Sequence, residues 1–379
     1  MVYLHTYTCI RMQWQFGFRT VASRTMDSES EQGKRDSGVS SEGIQQLPVS
    51  QIDVARLAGV SQAAVSRTFT PGASVSEEKR ARVLAAAEQL GYRPNVIARS
   101  LISKSTQMIG LVVLRFTNPF YAQMIRDFSR ALQEHGYLTL LFNIADIHEV
   151  EDALPTALQY QVDGLIITSA TLSSKMAEEC ARSGTPVVLF NRYASSDNLN
   201  AVRCDNVLGG RLVADALLDT GHQRLAYIAG EEGASTNRDR EQGFIDRLQE
   251  RRHELALREI AGNYTYEAGY EAAQRLLRRD DPPDGIFCAS DLLAMSVLDL
   301  ARCELGISVP DELSVIGFDD IPMASWPGYS LTTIRQPVEE MVATTIQVLT
   351  KAIGSPGSEA VIRVIAPSLV QRTSARRVG

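Results

Sequence analysis

Cysteine is scarce in this chain: five in 379 residues, at positions 9, 180, 204, 288 and 303. None forms a CxxC pair and none stands at His/Cys ligand spacing, so neither a zinc module nor a disulfide framework organises the fold. Free buried thiols in a reducing cytoplasm are the expectation. The five histidines are scattered at 5, 135, 148, 222 and 253. No apolar run reaches the roughly 18 to 20 residues that span a bilayer, so no membrane partner is expected. There is no GxGxxG after the first strand-like run, no phosphate loop and no GxSxG elbow. Without these a dehydrogenase or a hydrolase is hard to assemble, and no enzyme, cofactor or metal site is expected.

What is present is an uneven chain. Its length points to two or three domains of about 100 to 200 residues each. The net charge of −7 is the sum of 0 over residues 1–49, +4 over 50–104 and −11 over 105–379. A small basic module therefore accompanies a large acidic body, and a polyanion would be gripped by the first and repelled by the second. The first 26 residues hold Arg11, Arg19 and Arg24 but no Asp or Glu. They read either as a transit peptide or as translated upstream sequence with Met26 as the start. Residues 27–49 are rich in Ser, Glu, Gln and Gly, so 1–49 is read as a disordered extension.

Order begins at Ser50. Ser50-Gln51-Ile52-Asp53 has the form of a capping box, and Val54, Leu57 and Ala58 are expected to form the apolar stripe of the helix it opens. Ala55, then Gly59, then Val65 give a small residue where two helices touch, a glycine for the turn and an anchor under a second helix. That is helix-turn-helix spacing. The second helix, in the stretch GVSQAAVSR, has small and polar residues on one side and only Val65 to bury, which suits a helix prepared to lie in a groove. A third helix, Ser76 to Leu90, opens on Ser76 with Glu77 and Glu78 and closes at Gly91 before Pro94. The competing interpretation is an ordinary αα-hairpin with Arg67 merely solvated; the local positive charge and the polar second helix argue against it. Asn95, Ala98 and Leu101 share one face of a short hinge helix that is too short to be stable alone.

From Met108 strand-like runs (MIGLVVL, YLTLLFN, DGLIITSA, PVVLFN, RLAYIAG, DGIFCAS, LSVIGF) alternate with helical segments such as 119–134, 205–220 and 338–353. Continuous apolar strands separated by helices imply parallel sheets covered on both faces, and about 275 residues suggest two of them, with ligand at the strand ends.

The run DVARLAGVSQAAVSR through GYRPNVIARSL to TQMIGLVV resembles the DNA-binding head and hinge of the LacI-type (lac repressor and purine repressor) family, and the resemblance extends over most of residues 50–379. It implies a small all-α head at 50–93, a hinge helix and linker at 94–105, and an α/β body at 106–379. The body would be a two-lobed periplasmic-binding-protein-like domain with parallel sheets: an N-lobe of about 106–204 and 321–365, and a C-lobe of about 205–320 and 366–379, joined by three crossovers. By the same resemblance Gln62, Ala63 and Arg67 read base edges, Ser61, Ser66 and Ser76 meet phosphates, and Leu101 wedges into the minor groove beside Asn95 and Ala98, unless it packs on the body. Ala63 departs from relatives that carry a longer polar residue there.

The implied effector pocket contains Asn118, Phe120, Arg192, Arg240, Tyr264, Asp291 and Asp320. Asn191 beside Arg192 and Asp319 beside Asp320 fall at matching positions too. Asp291 has a second reading as a helix cap, and Arg192 as an internal partner of Asp319 or Asp320. Two guanidinium groups tilt the expected effector from a sugar toward a sugar acid. The implied function is a cytoplasmic, ligand-responsive repressor of a carbohydrate or sugar-acid operon, binding a pseudo-palindromic double-stranded operator as a homodimer or tetramer. The alternative is a solute-binding protein of a sugar transport system, which would need a signal peptide and no DNA-binding head.

Overall fold

The computed structural model describes residues 49–70, 72–93, 105–114, 118–144, 155–168, 182–193 and 199–377. The hinge positions Asn95, Ala98 and Leu101 lie outside them, as does the N-terminal extension up to residue 48. The chain divides into two compact units, Met1–Tyr92 and Arg93–Gly379.

The first unit contains α1 (Gln51–Ala58), α2 (Gln62–Thr68) and α3 (Glu77–Leu90). The capping box is formed: Asp53 accepts from the Ser50 N–H at 3.0 Å, and the Ser50 hydroxyl accepts from the Asp53 N–H at 3.4 Å. Asp53 is held below the usual carboxylate range, chiefly by the Ser50 hydroxyl that donates to it. Gly59 ends α1 at φ 61°, a conformation that costs an L side chain about 1 to 2 kcal/mol, so the turn needs glycine. Val54, Ala55, Ala58, Val65, Val83, Ala86 and Ala87 form the small core.

Two sequence expectations are corrected here. Leu57 is 46% exposed, because Val54, Ala55 and Ala58 centre the buried face more than a quarter turn away, at about 100° per residue. Val65 is not the only residue that α2 buries: Ala64 and Thr68 go in beside it, and Thr68 satisfies its hydroxyl by donating to the Ala64 carbonyl at 2.9 Å. Ser76 does precede α3, but its side chain makes no cap hydrogen bond.

The second unit has two six-stranded sheets. One is ordered β11-β5-β4-β3-β1-β2 and wholly parallel, with β1 (Met108–Leu114), β2 (Leu138–Ile144), β3 (Gly164–Ile167), β4 (Val187–Phe190), β5 (Asn200–Cys204) and β11 (Ile362–Ile365). The other is ordered β12-β10-β9-β8-β6-β7, with β6 (Leu225–Ala229), β7 (Leu257–Ile260), β8 (Gly285–Cys288), β9 (Ser314–Asp319), β10 (Thr332–Arg335) and an antiparallel β12 (Ser368–Val370). Strands β3, β4, β6, β8 and β9 are buried along their whole length, as sheets covered on both faces require. The helices α4 (Pro119–Glu134) and α9 (Val338–Gly354) belong to the first lobe, and α5 (Asn206–Asp219), α6 (Ser235–Glu250), α7 (Tyr266–Leu277) and α8 (Asp291–Asp299) to the second.

Three crossovers join the lobes: β5 to α5, β10 to α9, and β11 to β12. The expected N-lobe segment 321–365 is therefore too long at its start. β10 pairs in parallel with β9 of the second sheet, and the chain returns to the first lobe only at α9. Where the first lobe begins, Asp163 accepts from the Ser105 hydroxyl at 2.5 Å and from the Thr106 and Gln107 N–H groups at 2.8 and 3.0 Å. Among the described residues no helix is long and apolar enough to cross a membrane, and no His/Cys/Asp/Glu group could hold a metal ion.

Candidate functional site

On the head, α2 turns Val65 inward at 0% exposure and thereby turns Gln62, Ala63 and Arg67 outward; Ser66 is half-buried. Ser61 caps α2 by accepting from the Ala64 N–H at 3.3 Å, and Ser61 and Ser76 are exposed. Arg67 donates back to the Ala63 carbonyl at 3.3 Å, so its guanidinium lies along the outer face of α2. Around this face Arg82 donates to the Ala58 and Gly59 carbonyls at 3.0 and 2.9 Å, placing a cation at the C-terminus of α1. The result is a short helix with an exposed face of one amide, one methyl, hydroxyls and one guanidinium. Those groups suit base edges and phosphates in a major groove.

In the body a cleft of about 290 Å³ opens between the lobes. Asn118, Phe120, Tyr121, Asn191 and Arg192 line it from the first lobe; Thr236, Arg240, Tyr264, Asp319 and Gln336 close it from the second lobe and its crossover. The two parallel sheets put these residues there because they stand at strand ends or on the helix turns that follow: Asn191 and Arg192 after β4, Asp319 at the end of β9, Asn118 capping α4 by accepting from the Phe120 N–H at 3.0 Å. Two wall residues have a backbone that side chains rarely adopt, Asn191 at φ 56° and Asp319 at φ 127°. Such conformations cluster where a structure fixes a group for use. Tyr264 lies against the Gly230 backbone so closely that a Cβ there would meet the ring at 2.2 Å; glycine at 230 is what lets the ring lie over the end of β6.

Arg240 is held on every side. Its Nε donates to Asn206 Oδ1 at 2.9 Å, Nη1 to the Ala289 carbonyl at 2.5 Å, and Nη2 pairs with Asp319 at 3.4 Å. Its guanidinium sits 3.7 Å from the Phe318 ring centroid. Asp319 also accepts from Gln336 Nε2 at 2.7 Å. Burial pushes the Asp319 carboxyl above the usual range, against the pull of Arg240. Arg192, 8% exposed, donates through Nη1 to the Thr236 hydroxyl and through Nη2 to Tyr121 Oη at 3.5 Å, while its Nε has no partner. Asn191 Oδ1 and Gln336 Oε1 are likewise buried and unpaired. Native interiors rarely leave such atoms unsatisfied, and here four of them, with Tyr264 Oη, belong to residues of one cleft.

Five of the seven expected effector residues thus line one cleft: Asn118, Phe120, Arg192, Arg240 and Tyr264. Two do not. Asp291 is 0% exposed beneath the wall, accepting from the Thr333 hydroxyl and, at 2.8 Å, from the Ile321 N–H. Nor does it cap α8; Ser290 does, by accepting from the Leu293 N–H at 3.5 Å. Asp320 faces away and binds Arg335 and Arg372, each at 2.6 Å. The internal pairing expected for Arg192 belongs to Arg240 instead. Sequence reasoning missed Tyr121, Thr236 and Gln336, which carry no motif and meet only when the lobes fold together.

A head with an exposed polar second helix, in the same chain as two parallel-sheet lobes around a buried polar cleft, defines a ligand-responsive, DNA-binding transcriptional regulator. The particular family follows from likeness along the chain. Residues 52–95 match the bacterial regulatory proteins of the lacI family, and residues 214–375 match the periplasmic binding protein-like domain. The ribose operon repressor of Escherichia coli (strain K12) is 34% identical over 324 residues, 84% of this chain and 97% of its own. A transcriptional regulator CelR–cellobiose complex superposes with TM-score 0.67 at 30% identity, over 86% of this chain and all of that one. The lac repressor dimer bound to operator and the anti-inducer ONPF gives TM-score 0.78 at 25% identity, over 86% of this chain and 99% of that one. The chain belongs to the LacI family.

Proposed function

We propose that this regulator is a repressor of a carbohydrate or sugar-acid utilisation operon. It binds a pseudo-palindromic operator as a homodimer in the cytoplasm, without turning over its ligand, and a small polar effector in the cleft changes its affinity for DNA. Gln62, Ala63 and Arg67 read bases, Ser61, Ser66 and Ser76 hold phosphates, and Asn95, Ala98 and Leu101 form the hinge contacts. The observation that carries this reading is the cluster of buried polar atoms without partners, Asn191 Oδ1, Arg192 Nε and Gln336 Oε1, on a cleft closed by both lobes. A ligand that satisfies them binds the closed arrangement in preference to an open one, and only such differential binding can shift a conformational equilibrium. The names and complexes of the relatives point the same way: a ribose operon repressor, a regulator with cellobiose, and a repressor dimer on its operator.

The test is a mobility shift on operator DNA selected from a random pool, with and without a panel of sugars and sugar acids. A compound that changes the affinity for operator about 5- to 150-fold establishes the control. Binding of the selected operator by a truncation that starts at Lys104 would refute the assignment of DNA binding to the head.

A further inference from the structure

We infer that the effector of this cleft carries an anionic group, a carboxylate or a phosphate, and that Arg192 receives it through the fork formed by Nε and Nη2. The inference rests on reading the cleft as the effector site and adds the charge of what enters it.

Two buried guanidinium groups face the cleft, and they are in different states. Arg240 has a carboxylate, a carbonyl and an amide oxygen, one on each nitrogen, so it is already satisfied and fixed. Arg192 has only hydroxyl oxygens. Nη1 is taken by Thr236, Nη2 reaches Tyr121 at a long 3.5 Å, and Nε has nothing. The unspent edge of the guanidinium is therefore the planar Nε/Nη2 fork, whose two parallel N–H groups match the two oxygens of a carboxylate or phosphate.

Among the described residues no carboxylate hydrogen-bonds to Arg192 Nε. Asp319 holds Arg240 and Gln336, Asp320 holds Arg335 and Arg372, and Asp239 holds Tyr193 and Arg203. Asp291 is fully buried on Thr333 and the Ile321 N–H. Glu231 adds an attractive field at Arg192. A guanidinium that is 8% exposed and meets only neutral oxygens costs free energy until an anion reaches it, and that cost is relieved when the right ligand binds.

The other unpaired atoms narrow the class further. Asn191 Oδ1 and Gln336 Oε1 are acceptors, so the ligand must also bring donors, as the hydroxyls of a sugar do. Phe120 and Tyr264 supply aromatic faces for the apolar side of a ring. The combination describes a sugar acid or a sugar phosphate.

Calorimetry on the full chain with two sets of probes tests this. The anionic set is D-gluconate, D-glucuronate, ribose 5-phosphate and glucose 6-phosphate; the neutral set is ribose and glucose. Binding of at least one anion is expected, with the acids and the phosphates reporting separately which anion fits. Arg192→Gln should weaken that binding by about ten- to a hundredfold, the worth of a charge-assisted contact. Arg192→Lys, which keeps the charge without the fork, should recover only part of it. Thermal melts of both variants matching the parent, with retained binding of the selected operator, show that the lobes are intact; where Arg192→Gln fails to fold, Arg192→Lys alone carries the comparison. A neutral sugar that binds as tightly as the best anion, and equally well to the Arg192 variants, overturns the charge assignment and leaves the cleft as the effector site. Binding of neither set overturns both.

Discussion

Tyr193, just past β4 of the first lobe, donates its phenolic proton to Asp239 on α6 of the second lobe at 2.8 Å. Arg203 on β5 reaches the other oxygen of the same carboxylate at 3.2 Å and lies 4.6 Å from the Tyr193 ring centroid. One acidic side chain of the second lobe is thus held by two groups of the first. Each member is next in sequence to a cleft residue or on a neighbouring strand: Tyr193 follows Arg192, and Asp239 precedes Arg240. Ligand contacts and lobe contacts are made by the same short stretches, which is how a small molecule can bias the angle between lobes.

Asp239→Ala should therefore loosen closure without unfolding either lobe. Tyr193 and Arg203 lose their shared acceptor, at a cost of about 1 to 3 kcal/mol. Because the contact exists only when the lobes meet, the cost falls on the closed arrangement. Hydrogen exchange should quicken in residues 199–204 and 235–245 while β8 and β9 keep their protection. Uniform loss of protection through both sheets would show that Asp239 supports the fold itself.

The head offers a separation of stability from recognition. Ser61 caps α2, so Ser61→Ala should lower the melting stability of the head by about 1 kcal/mol. Arg67 is exposed and bonds only to its own helix, so Arg67→Ala should leave the melt unchanged. It should instead relax discrimination at one operator base pair by about 1 to 3 kcal/mol. Binding of Arg67→Ala to a set of single-base operator variants checks this. Equal weakening on every variant would assign Arg67 to the phosphate backbone.

Helix α6 carries both Arg240 and Asp239, and its position depends on two glycines. A Cβ on Gly243 would meet the Val207 carbonyl oxygen at 2.0 Å, and one on Gly210 would meet the Arg240 carbonyl oxygen at 2.1 Å. Backbone cannot yield as a side chain can, so α5 and α6 would have to part. Gly243→Ala should cost about 1 to 3 kcal/mol of stability and weaken effector binding, because Arg240 moves with its helix. A melt and an effector titration on the same preparation test both halves. Normal effector affinity in a destabilised variant would mean that the cleft tolerates the shift.

How much of this was legible in the sequence depended on how local each signal is. The capping box at Ser50 and Asp53, the turn at Gly59 and the alternation of buried strands with helices are set by near neighbours, and the structure contains them. The strand Thr332–Arg335 was missed because four residues beginning with two threonines carry little hydrophobic signal, and its place in the second sheet comes from pairing with Ser314–Asp319. Leu57 was misplaced because one helical turn with two alternative apolar faces does not say which one meets α3. Asp320 stands beside the cleft residue Asp319 in sequence and Asp291 just past the end of β8, yet a strand end turns successive side chains in different directions. Only the packing of β9, β10 and the C-terminal Arg372 shows which of them are spent internally.

Asp291 gives a prediction with a definite sign. Burial, then the neighbouring negative charge of Asp319, pushes its carboxyl well above the ordinary carboxylate value, and its two neutral donors, Thr333 and the Ile321 N–H, do not offset that. An unfolded Asp titrates near about 3.9. A carboxyl whose folded value is raised contributes stability that is fully present below the unfolded value. That contribution is lost as pH rises through the folded value, since between the two values the folded state keeps a proton the unfolded state has released, and above the folded value it buries a charge. The body should therefore lose stability between mildly acidic and neutral pH. Asp291→Asn has nearly the same shape and no proton to lose, so its melting temperature should fall less over that interval. His222, whose value burial lowers, acts with the opposite sign, losing stability as pH falls, and is present in both proteins; the difference between the two curves reports Asp291 together with its repulsion with Asp319. Parallel curves for parent and variant from pH 5 to 8 would show that Asp291 is ionised in the fold throughout.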